Sequence, residues 1–451
     1  METKDLIGLF GASVIQNVGF MLVVPFLPLE LDGYGVRDTT LGFIFSIYSV
    51  ASMLGSLIIG RVMILFGRKT ILLVGVTTTG LAMVMFGAIK WFEDPSLVVA
   101  ICLMSRAIQG IGSSMTLTTS FAIISISYGE KKQKYLGYLE AAQGFGCILG
   151  PSVGGVMYSF LGFSKIFNLI GGSLILLVPI LYLQIPKSID GNAQLQKQHH
   201  DKSQCQESLV EIQSREEEIS EIINNKPTYL KLLRMKKFIF VTCCGFLYSF
   251  GFSYYYPVLP IRLKDFNLAP TTISFFFTVA ASAYLFSSTI LMSVIIAAGI
   301  DDKKIMVGSL LLYGLSEFMM GPSYFLPDSE FIIILGLLLG GLNTIFVMVS
   351  TLTSMVHEAE IAFPTQKDYV NDLCSGIFNF TINLGLTLGP LYGTTFTSLI
   401  TYQSTCTSTG ILLISYCLLY YLFFTPSSKP ILTQELQLKE APCPRSFASD
   451  P

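Results

Sequence analysis

The sequence predicts an all-α, polytopic membrane protein whose twelve transmembrane helices form two pseudo-symmetric six-helix bundles. Three observations predict it. Of 451 residues, 52% are hydrophobic and only 13% charged, against about 25% charged in ordinary soluble domains. The charges fall in clusters separated by uncharged intervals at 6–29, 39–60, 70–89, 107–129, 166–186, 238–261, 266–300, 331–356 and 373–428. An apolar helix of about 20 residues crosses a hydrocarbon core of about 30 Å, so nearly every interval is long enough to span. Finally, VVPFLPLEL at 23–31 returns as YYPVLPIRL at 255–263, an offset of 232 residues.

Twelve spans follow in order, at roughly 5–28, 39–60, 70–90, 97–124, 135–160, 166–185, 237–259, 271–299, 305–325, 331–357, 373–398 and 407–425. The interval 373–428 holds two of them, divided by the polar patch TYQSTCTST at 401–409. Five residues precede the uncharged stretch of the first span, Glu2 and Asp5 among them. That is not the basic leader of a cleavable signal, so this span is expected to remain as a membrane helix. With both termini cytoplasmic, nine Lys and Arg fall in short inner loops and five in outer ones, the bias that sets orientation. Residues 1–185 and 237–425 are expected to be the two bundles. Residues 186–236 read as a cytoplasmic central loop with eight basic and eight acidic residues. Within it 206–225 fits either a solvated linker or an acidic amphipathic helix that docks a partner. Residues 426–451 read as a disordered cytoplasmic tail.

The repeat aligns Pro25 with Pro257 and Pro28 with Pro260, then continues without a gap. Thr39-Thr40 meets Thr271-Thr272, Phe43 meets Phe275, Phe45 meets Phe277 and Ala51 meets Ala283. The offset equals six spans plus the central loop. Six is even, so both copies cross the membrane in the same direction, related by an axis along the membrane normal. Proline removes a backbone donor and bends a helix. At membrane depth that is tolerable only against protein or a water-filled cavity. Both proline pairs are therefore read as matched bends near the outer ends of cavity-lining helices.

Further motifs stand on the expected spans. The loop between spans two and three reads GRVMILFGRKT, span four carries RAIQGIGSS, span five GCILGPSVGG and span eleven GLTLGPLYG. Together they resemble the major facilitator superfamily. Gly60, Gly67, Arg68 and Lys69 match its loop signature, although Ile64 and Leu65 replace the acid and the arginine of the usual charge relay. Arg106, Gln109, Gly110 and Gly112 resemble the motif of proton-coupled members. Gly146, Gly150, Pro151, Gly154 and Gly155 resemble the antiporter motif, repeated in part by Gly385, Gly389, Pro390 and Gly393. Glycines at such spacing let helices approach closely. PFLPLE at 25–30, YLEAAQGFGCILGPSVGG at 138–155, FNLAP at 266–270 and His357-Glu358 are most similar to the vesicular amine transporters, and among them to the polyamine branch.

The resemblance implies the major facilitator fold and exchange of lumenal protons for cytosolic organic cations, polyamine or monoamine-like, by alternating access. It places the chain in an intracellular vesicle or vacuolar membrane rather than the plasma membrane. It also implies carboxylates on spans seven and ten, where Tyr255 and Thr351 stand. No Walker loop, G-x-S-x-G or H-E-x-x-H is present, and none of the nine cysteines has zinc-ligand spacing with histidine. Enzymatic, ATP-driven and metal-binding readings therefore have no motif behind them. The expected partners are a small-molecule substrate, protons and the lipid bilayer. No cofactor and no nucleic acid is expected, and the chain is expected to act as a monomer.

Ionisable residues inside spans cost several kcal/mol and are functional candidates by default. Arg106, Glu140 and Glu317 are the proton-coupling candidates, with Glu30 at the outer end of span one. Each has a structural alternative. Arg106 either holds a carboxylate or carbonyls beside the proton path or tethers helices. Glu140 either couples protons or bonds a neighbouring helix. Glu317 sits on a peripheral helix where a structural role is the simpler one, and Glu30 suits a solvated loop end. Gln16, Asn17, Gln143, Asn343, Asn379 and Asn383 either bind substrate or stitch helices together. Tyr48, Tyr254 and Tyr255, with Phe252 and Tyr256, are candidates for an aromatic cavity wall, because ring faces attract ammonium groups. Competing readings are an uncoupled facilitator or an exporter of a neutral or lipophilic solute. A transporter-like receptor or scaffold acting through 206–225 is a third.

Overall fold

A computed structural model describes residues 6–36, 38–128, 132–186, 227–291, 302–322, 326–364 and 367–424. The segment 206–225, the tail 426–451 and the end of expected span eight lie outside the described residues. Among those described the chain is helical and has no strand. The helices are α1 (Leu6–Asp32), α2 (Asp38–Phe66), α3 (Arg68–Gly87), α4 (Pro95–Tyr128) and α5 (Lys132–Gln184) in the first half. The second half holds α6 (Tyr229–Leu233), α7 (Lys236–Ser253), α8 (Leu259–Lys264) and α9 (Pro270–Phe286), then α10 (Asp302–Met320), α11 (Glu330–Ala362), α12 (Lys367–Leu399) and α13 (Tyr402–Phe424).

Eight helical segments are long and apolar enough to cross a membrane by composition alone. One of them, α5, is 53 residues long and breaks at Gly162, where φ is 73° and ψ 177°. A side chain rarely adopts that backbone, so glycine marks the junction between spans five and six. The remaining spans are α7, α10 and α12. Their apolar windows are diluted by Lys236-Lys237, by Asp302 to Lys304 with Glu317, and by Asn379 and Asn383. That completes twelve.

The outer surface is greasy as a membrane requires. Leu65, Phe160 and Leu183 are each more than three-quarters exposed, which lipid accommodates and water does not. Many hydroxyls within the spans donate to their own helices. In α13, Thr405, Thr407 and Thr409 donate to carbonyls four residues back at 2.8, 2.8 and 2.9 Å. This back-bonding lets so polar a helix sit in hydrocarbon, and α13 starts earlier than the sequence suggests, at Tyr402 with Cys406 buried.

The buried apolar clusters show how the two halves meet. One, built on Leu6, Leu72, Ile123 and Leu181, uses the first half only. Another, built on Phe238, Leu310, Met355 and Tyr420, uses the second half only. Both lie toward the end that carries the chain termini. The third joins Phe26, Ile44 and Phe167 to Tyr254, Phe276 and Ile333. It therefore crosses between the bundles, and it does so at the opposite end, here called the outer end. Hydrogen bonds between the halves lie there too: Ser46 Oγ donates to the Thr387 carbonyl at 2.5 Å, and Ser274 Oγ to the Pro151 carbonyl. The bundles are sealed at the outer end and have separate cores at the terminal end.

The glycine motifs carry the duplication into packing. A Cβ at Gly150 stands 2.8 Å from the Met21 Cβ and 2.9 Å from the Val18 carbonyl, so α5 lies against α1. A Cβ at Gly389 stands 2.7 Å from the Phe250 carbonyl and 3.1 Å from the Tyr254 nitrogen, so α12 lies against α7 in the same way. Gly146 and Gly154 extend the first seam, and Gly385 and Gly393 the second. Gly155 instead faces Ser274 across the bundles. In the span-four motif, Gly110 meets the backbone of Tyr48 and Gly112 that of Gly75 and Thr79, seating α4 on α2 and α3.

The matched prolines stand in unlike elements. α1 continues through Pro25 and Pro28 to Asp32. Its counterpart stops at Ser253, turns through residues 254–258 and resumes as α8 with Pro260 near its start. Pro257 has no N–H for the Ser253 carbonyl, which instead accepts from Tyr256 at 3.3 Å in a tightened turn. The loop motif is fixed through its glycine and its lysine. Gly67 takes φ 84° ahead of α3. Lys69, buried, donates to the Tyr182 carbonyl at 2.6 Å and lies 4.2 Å from that ring, tying α3 to the end of α5.

Candidate functional site

A cavity of about 270 Å³ opens between the bundles. The first half contributes Phe20, Met21 and Cys147, and the second half supplies the rest of the wall. Five tyrosines, Tyr248, Tyr255, Tyr256, Tyr284 and Tyr313, face it together with Phe252 and Phe277. No Asp, Glu, Lys or Arg is among its lining residues. The rings hold one another edge to face: Tyr255 and Tyr256 at 5.1 Å and 83°, Phe252 and Tyr256 at 5.3 Å and 70°. Such pairs are worth about 0.5–1.5 kcal/mol each beyond area burial and fix the rings in place.

Of the residues expected to line a cavity, Phe252, Tyr255 and Tyr256 do. Three of the asparagines bond their own helices. Asn17 donates to the Ser13 carbonyl at 2.9 Å, Asn343 to Leu339 at 2.7 Å and Asn383 to Asn379 at 2.9 Å, each within its own helix. Gln16 is buried, Asn379 is exposed, and the Gln143 Nε2 is buried without a partner. Tyr48 donates to Ser113 Oγ at 2.9 Å and packs on Phe20, behind the wall. The missed wall residues were Tyr248, Tyr284 and Tyr313. Tyr248 was findable, because 248, 252 and 255 share one face of a helix.

The three ionisable candidates are placed very differently. Arg106 is buried with its guanidinium carbon 4.7, 5.3 and 5.6 Å from the rings of Tyr48, Phe45 and Phe20. Its Nη1 donates to Gln109 Oε1 at 2.8 Å and its Nε has no partner. Among the described residues no carboxylate pairs with it; an aromatic cage and an amide hold it. The Glu140 side chain is exposed, toward the terminal end, where the two halves have separate cores. Glu317 has no exposure at all. Its Oε2 accepts from the Tyr254 hydroxyl at 2.5 Å, and its Oε1 is buried without a partner. Tyr254 thus turns away from the cavity, and the peripheral α10 contributes a carboxyl directly behind the wall formed by Tyr313, Ser316 and Met320.

At the outer end the proline repeats end in charges. Glu30 pairs with Lys90 at 9% exposure, not as a solvated loop end. Its repeat equivalent Arg262 pairs with Asp328 and, at 3.3 Å, with Asp265. The same latch is built twice with its signs exchanged. Between them Lys264 Nζ meets Asp32 Oδ2 at 2.5 Å, and these positions are 232 residues apart. That is the offset of the duplication, so equivalent residues of the two halves meet across the pseudo-symmetry axis.

The Major Facilitator Superfamily profile matches residues 9–246 and 241–446. The chain belongs to the major facilitator superfamily. It is similar to the MFS-type transporter SLC18B1 of Rattus norvegicus, 22% identical over 405 residues, covering 87% of this chain and 80% of the relative. It is also similar to the quinolone resistance protein NorA of Staphylococcus aureus, 28% identical over 155 residues, covering 34% of this chain and 38% of NorA. A crystal structure of a D-xylose-proton symporter superposes with a TM-score of 0.69 at 12% identity, covering 94% and 98% of the two chains. A POT family transporter in complex with 5-aminolevulinic acid gives 0.69 at 14% identity, covering 93% and 96%. The protein is a multi-pass membrane transporter of this superfamily and not an enzyme.

In a superfamily transporter the outer seal must open, and the Asp32–Lys264 pair crosses it. Both side chains are about half exposed, where such a pair contributes about 0.5 kcal/mol. Asp32→Lys is expected to shift the population toward the outward-open state about twofold or more. The double exchange Asp32→Lys with Lys264→Asp is expected to restore it. Distances between spin labels on the outer ends of the two bundles measure the shift. A double exchange that behaves like the single one would remove the pair from the gate.

Proposed function

We propose that the protein is a proton-coupled antiporter of small organic cations, each carrying one ammonium on an apolar body. It works by rocking one six-helix bundle against the other. The observation that carries the reading is a cavity walled by five tyrosines with a fully buried carboxyl, Glu317, immediately behind it. Ring faces attract an ammonium by about 0.5–2 kcal/mol each, and a carboxyl without water exchanges its charge only for a proton. The resemblance of the span-four and span-five motifs to those of proton-coupled antiporters and amine transporters supports the same reading. The wall lacks the spaced carboxylates that a polyamine would engage, which favours a monoamine-like substrate. The excess of inner-loop Lys and Arg fits termini on the cytosolic face of a vesicle or vacuolar membrane, and the chain works as a monomer.

A second reading, export of a neutral lipophilic solute, is favoured by the predominantly apolar wall. Proteoliposomes with an imposed pH difference separate the two, with tyramine, spermidine, tetraphenylphosphonium and a neutral naphthylamine dye as probes. The proposal expects accumulation of a cationic probe to rise about tenfold per pH unit for each proton moved, since one unit is worth about 1.4 kcal/mol. Uptake of every cation indifferent to pH would sink it. Dye flux alone would establish the second reading.

A further inference from the structure

We propose that Arg106 is a binding residue for a carboxylate at the far end of the substrate. The preferred substrate is then an ω-amino acid with an apolar body, its ammonium on the tyrosine wall and its carboxylate on the Arg106 guanidinium. The proposal rests on the reading above that the wall takes an ammonium, and it extends the substrate class. Behind it stands the one-sidedness of the cavity. A site on the axis of a parallel duplication is expected to be walled by equivalent residues of both halves. Here the first half contributes Phe20, Met21 and Cys147, and the second half supplies the rest.

The duplication shows what occupies the other side. A Cβ at Gly110 would stand 3.0 Å from the Ala51 Cβ and would meet the Tyr48 carbonyl. A Cβ at Gly341 would stand 2.9 Å from the Ala283 Cβ and 2.5 Å from the Ala280 carbonyl. Residues 48 and 280, like 51 and 283, are 232 apart, so the two glycines are equivalent. Counted from them, Arg106 corresponds to Leu337, Gln109 to Gly340 and Ser113 to Thr344, and these second-half residues line the cavity. The rings around the guanidinium follow the same rule. Phe20, Phe45 and Tyr48 correspond to Phe252, Phe277 and Ala280, which line it as well. Arginine and tyrosine are larger than leucine and alanine. The first half therefore fills with Arg106 and Tyr48 the space that the second half leaves open.

Arg106 has the properties of half an ion pair. It is 1% exposed, and a guanidinium so buried is costly without a counter-charge. Gln109 Oε1 takes its Nη1 at 2.8 Å, whereas its Nε has no partner. Nε belongs to the other edge of the planar fork, shared with Nη2, and such an edge grips a carboxylate through two parallel hydrogen bonds. The Phe20 ring is common to both places: it lines the cavity, and its centre lies 5.6 Å from the guanidinium carbon. A turn of Phe20 to another staggered rotamer is the movement that admits the carboxylate. On the second-half side the buried Glu317 stands behind the wall at Tyr313 and Ser316. A ligand with an ammonium at one end and a carboxylate at the other is aligned by both charges. A second ammonium at the far end would meet the guanidinium and be repelled.

The test is calorimetric titration of the full chain in lipid nanodiscs at neutral pH. It uses two ligands of one shape, para-(aminoethyl)benzoate and phenethylamine, which lacks the carboxylate. Wild type is expected to bind the amino acid about tenfold more tightly than the amine. Arg106→Leu, which gives the first half the residue of the second, is expected to remove that preference. A merely structural loss would weaken both ligands alike and leave their ratio unmoved. Arg106→Gln reads the same ratio should the leucine variant not fold, and the wild-type comparison needs neither. A wild type that binds the amine as tightly as the amino acid, or a variant that keeps the preference, overturns the proposal and leaves the amine reading standing. Binding of neither ligand overturns both.

Discussion

Glu317→Gln is expected to abolish accumulation driven by a pH difference, by about a hundredfold or more, while exchange of labelled for unlabelled solute continues. Glutamine has the shape of glutamate, and its amide oxygen can still accept from Tyr254, so the seam between α10 and the break after α7 keeps its bond. What it loses is the ability to be charged. Of the acidic side chains described, Glu317 alone has no exposure, and an ion there is sustained only by its one hydroxyl donor. Exchange needs the cavity to alternate with solute bound, whereas net uptake needs the empty carrier to return with a proton in a defined place. Parallel measurements of gradient-driven uptake and of exchange separate the two. If Glu317→Gln accumulates the cation as wild type does, the coupling site lies elsewhere, and Glu140 toward the terminal end becomes the next candidate.

Glu317 also shows what a sequence can and cannot convey here. The span count, the parallel duplication and the glycine seams were legible, because each depends on spacing along one chain. Gly150 and Gly389 are recognisable by their neighbours in sequence, and they do in space what that spacing suggests. The facing of a side chain is another matter. Spacing gives the relative faces of a helix, but its absolute rotation is set by its neighbours. Tyr254 and Tyr255 are adjacent, yet one turns to a carboxyl on α10 and the other to the cavity. Asn343 and Asn383 had the composition of ligands and use it on their own backbone. Its place in a span made Glu317 a candidate, but its peripheral helix favoured a structural role; the tyrosine that reaches it comes from a helix broken at Pro257.

The charge at the mouth is a similar case. Glu30 and Arg262 occupy equivalent positions with opposite signs, which on sequence alone looks like lost symmetry. In the structure each finds a partner of opposite charge in its own half, Lys90 or Asp328. The duplication preserved the pair and exchanged its polarity. Because the exchanged copies differ in sign, Asp32 and Lys264 attract where identical copies would repel. A parallel repeat brings equivalent residues together at its axis, so a gate closed there by charge requires the two halves to have diverged.

Tyr255→Leu is expected to weaken uptake of a cationic probe about tenfold, and Tyr255→Phe to leave it within about twofold. The ring of Tyr255 stands at the centre of the wall, between Phe252, Tyr256 and a Phe277 ring stacked at 6.4 Å. Leucine keeps the apolar volume and removes the face of negative potential, which at a desolvated site is worth about 1–2 kcal/mol to an ammonium. Phenylalanine keeps the face and loses only the hydroxyl. A neutral lipophile responds to volume rather than to the ring's field, so for it the order changes: leucine and phenylalanine are then expected to behave alike. Concentration dependence of uptake for tyramine and for a neutral dye, measured in both variants, reads the difference directly. Equal sensitivity of the two probes to Tyr255→Leu would mean that the aromatic wall serves packing, and that the cation is recognised somewhere other than this cavity.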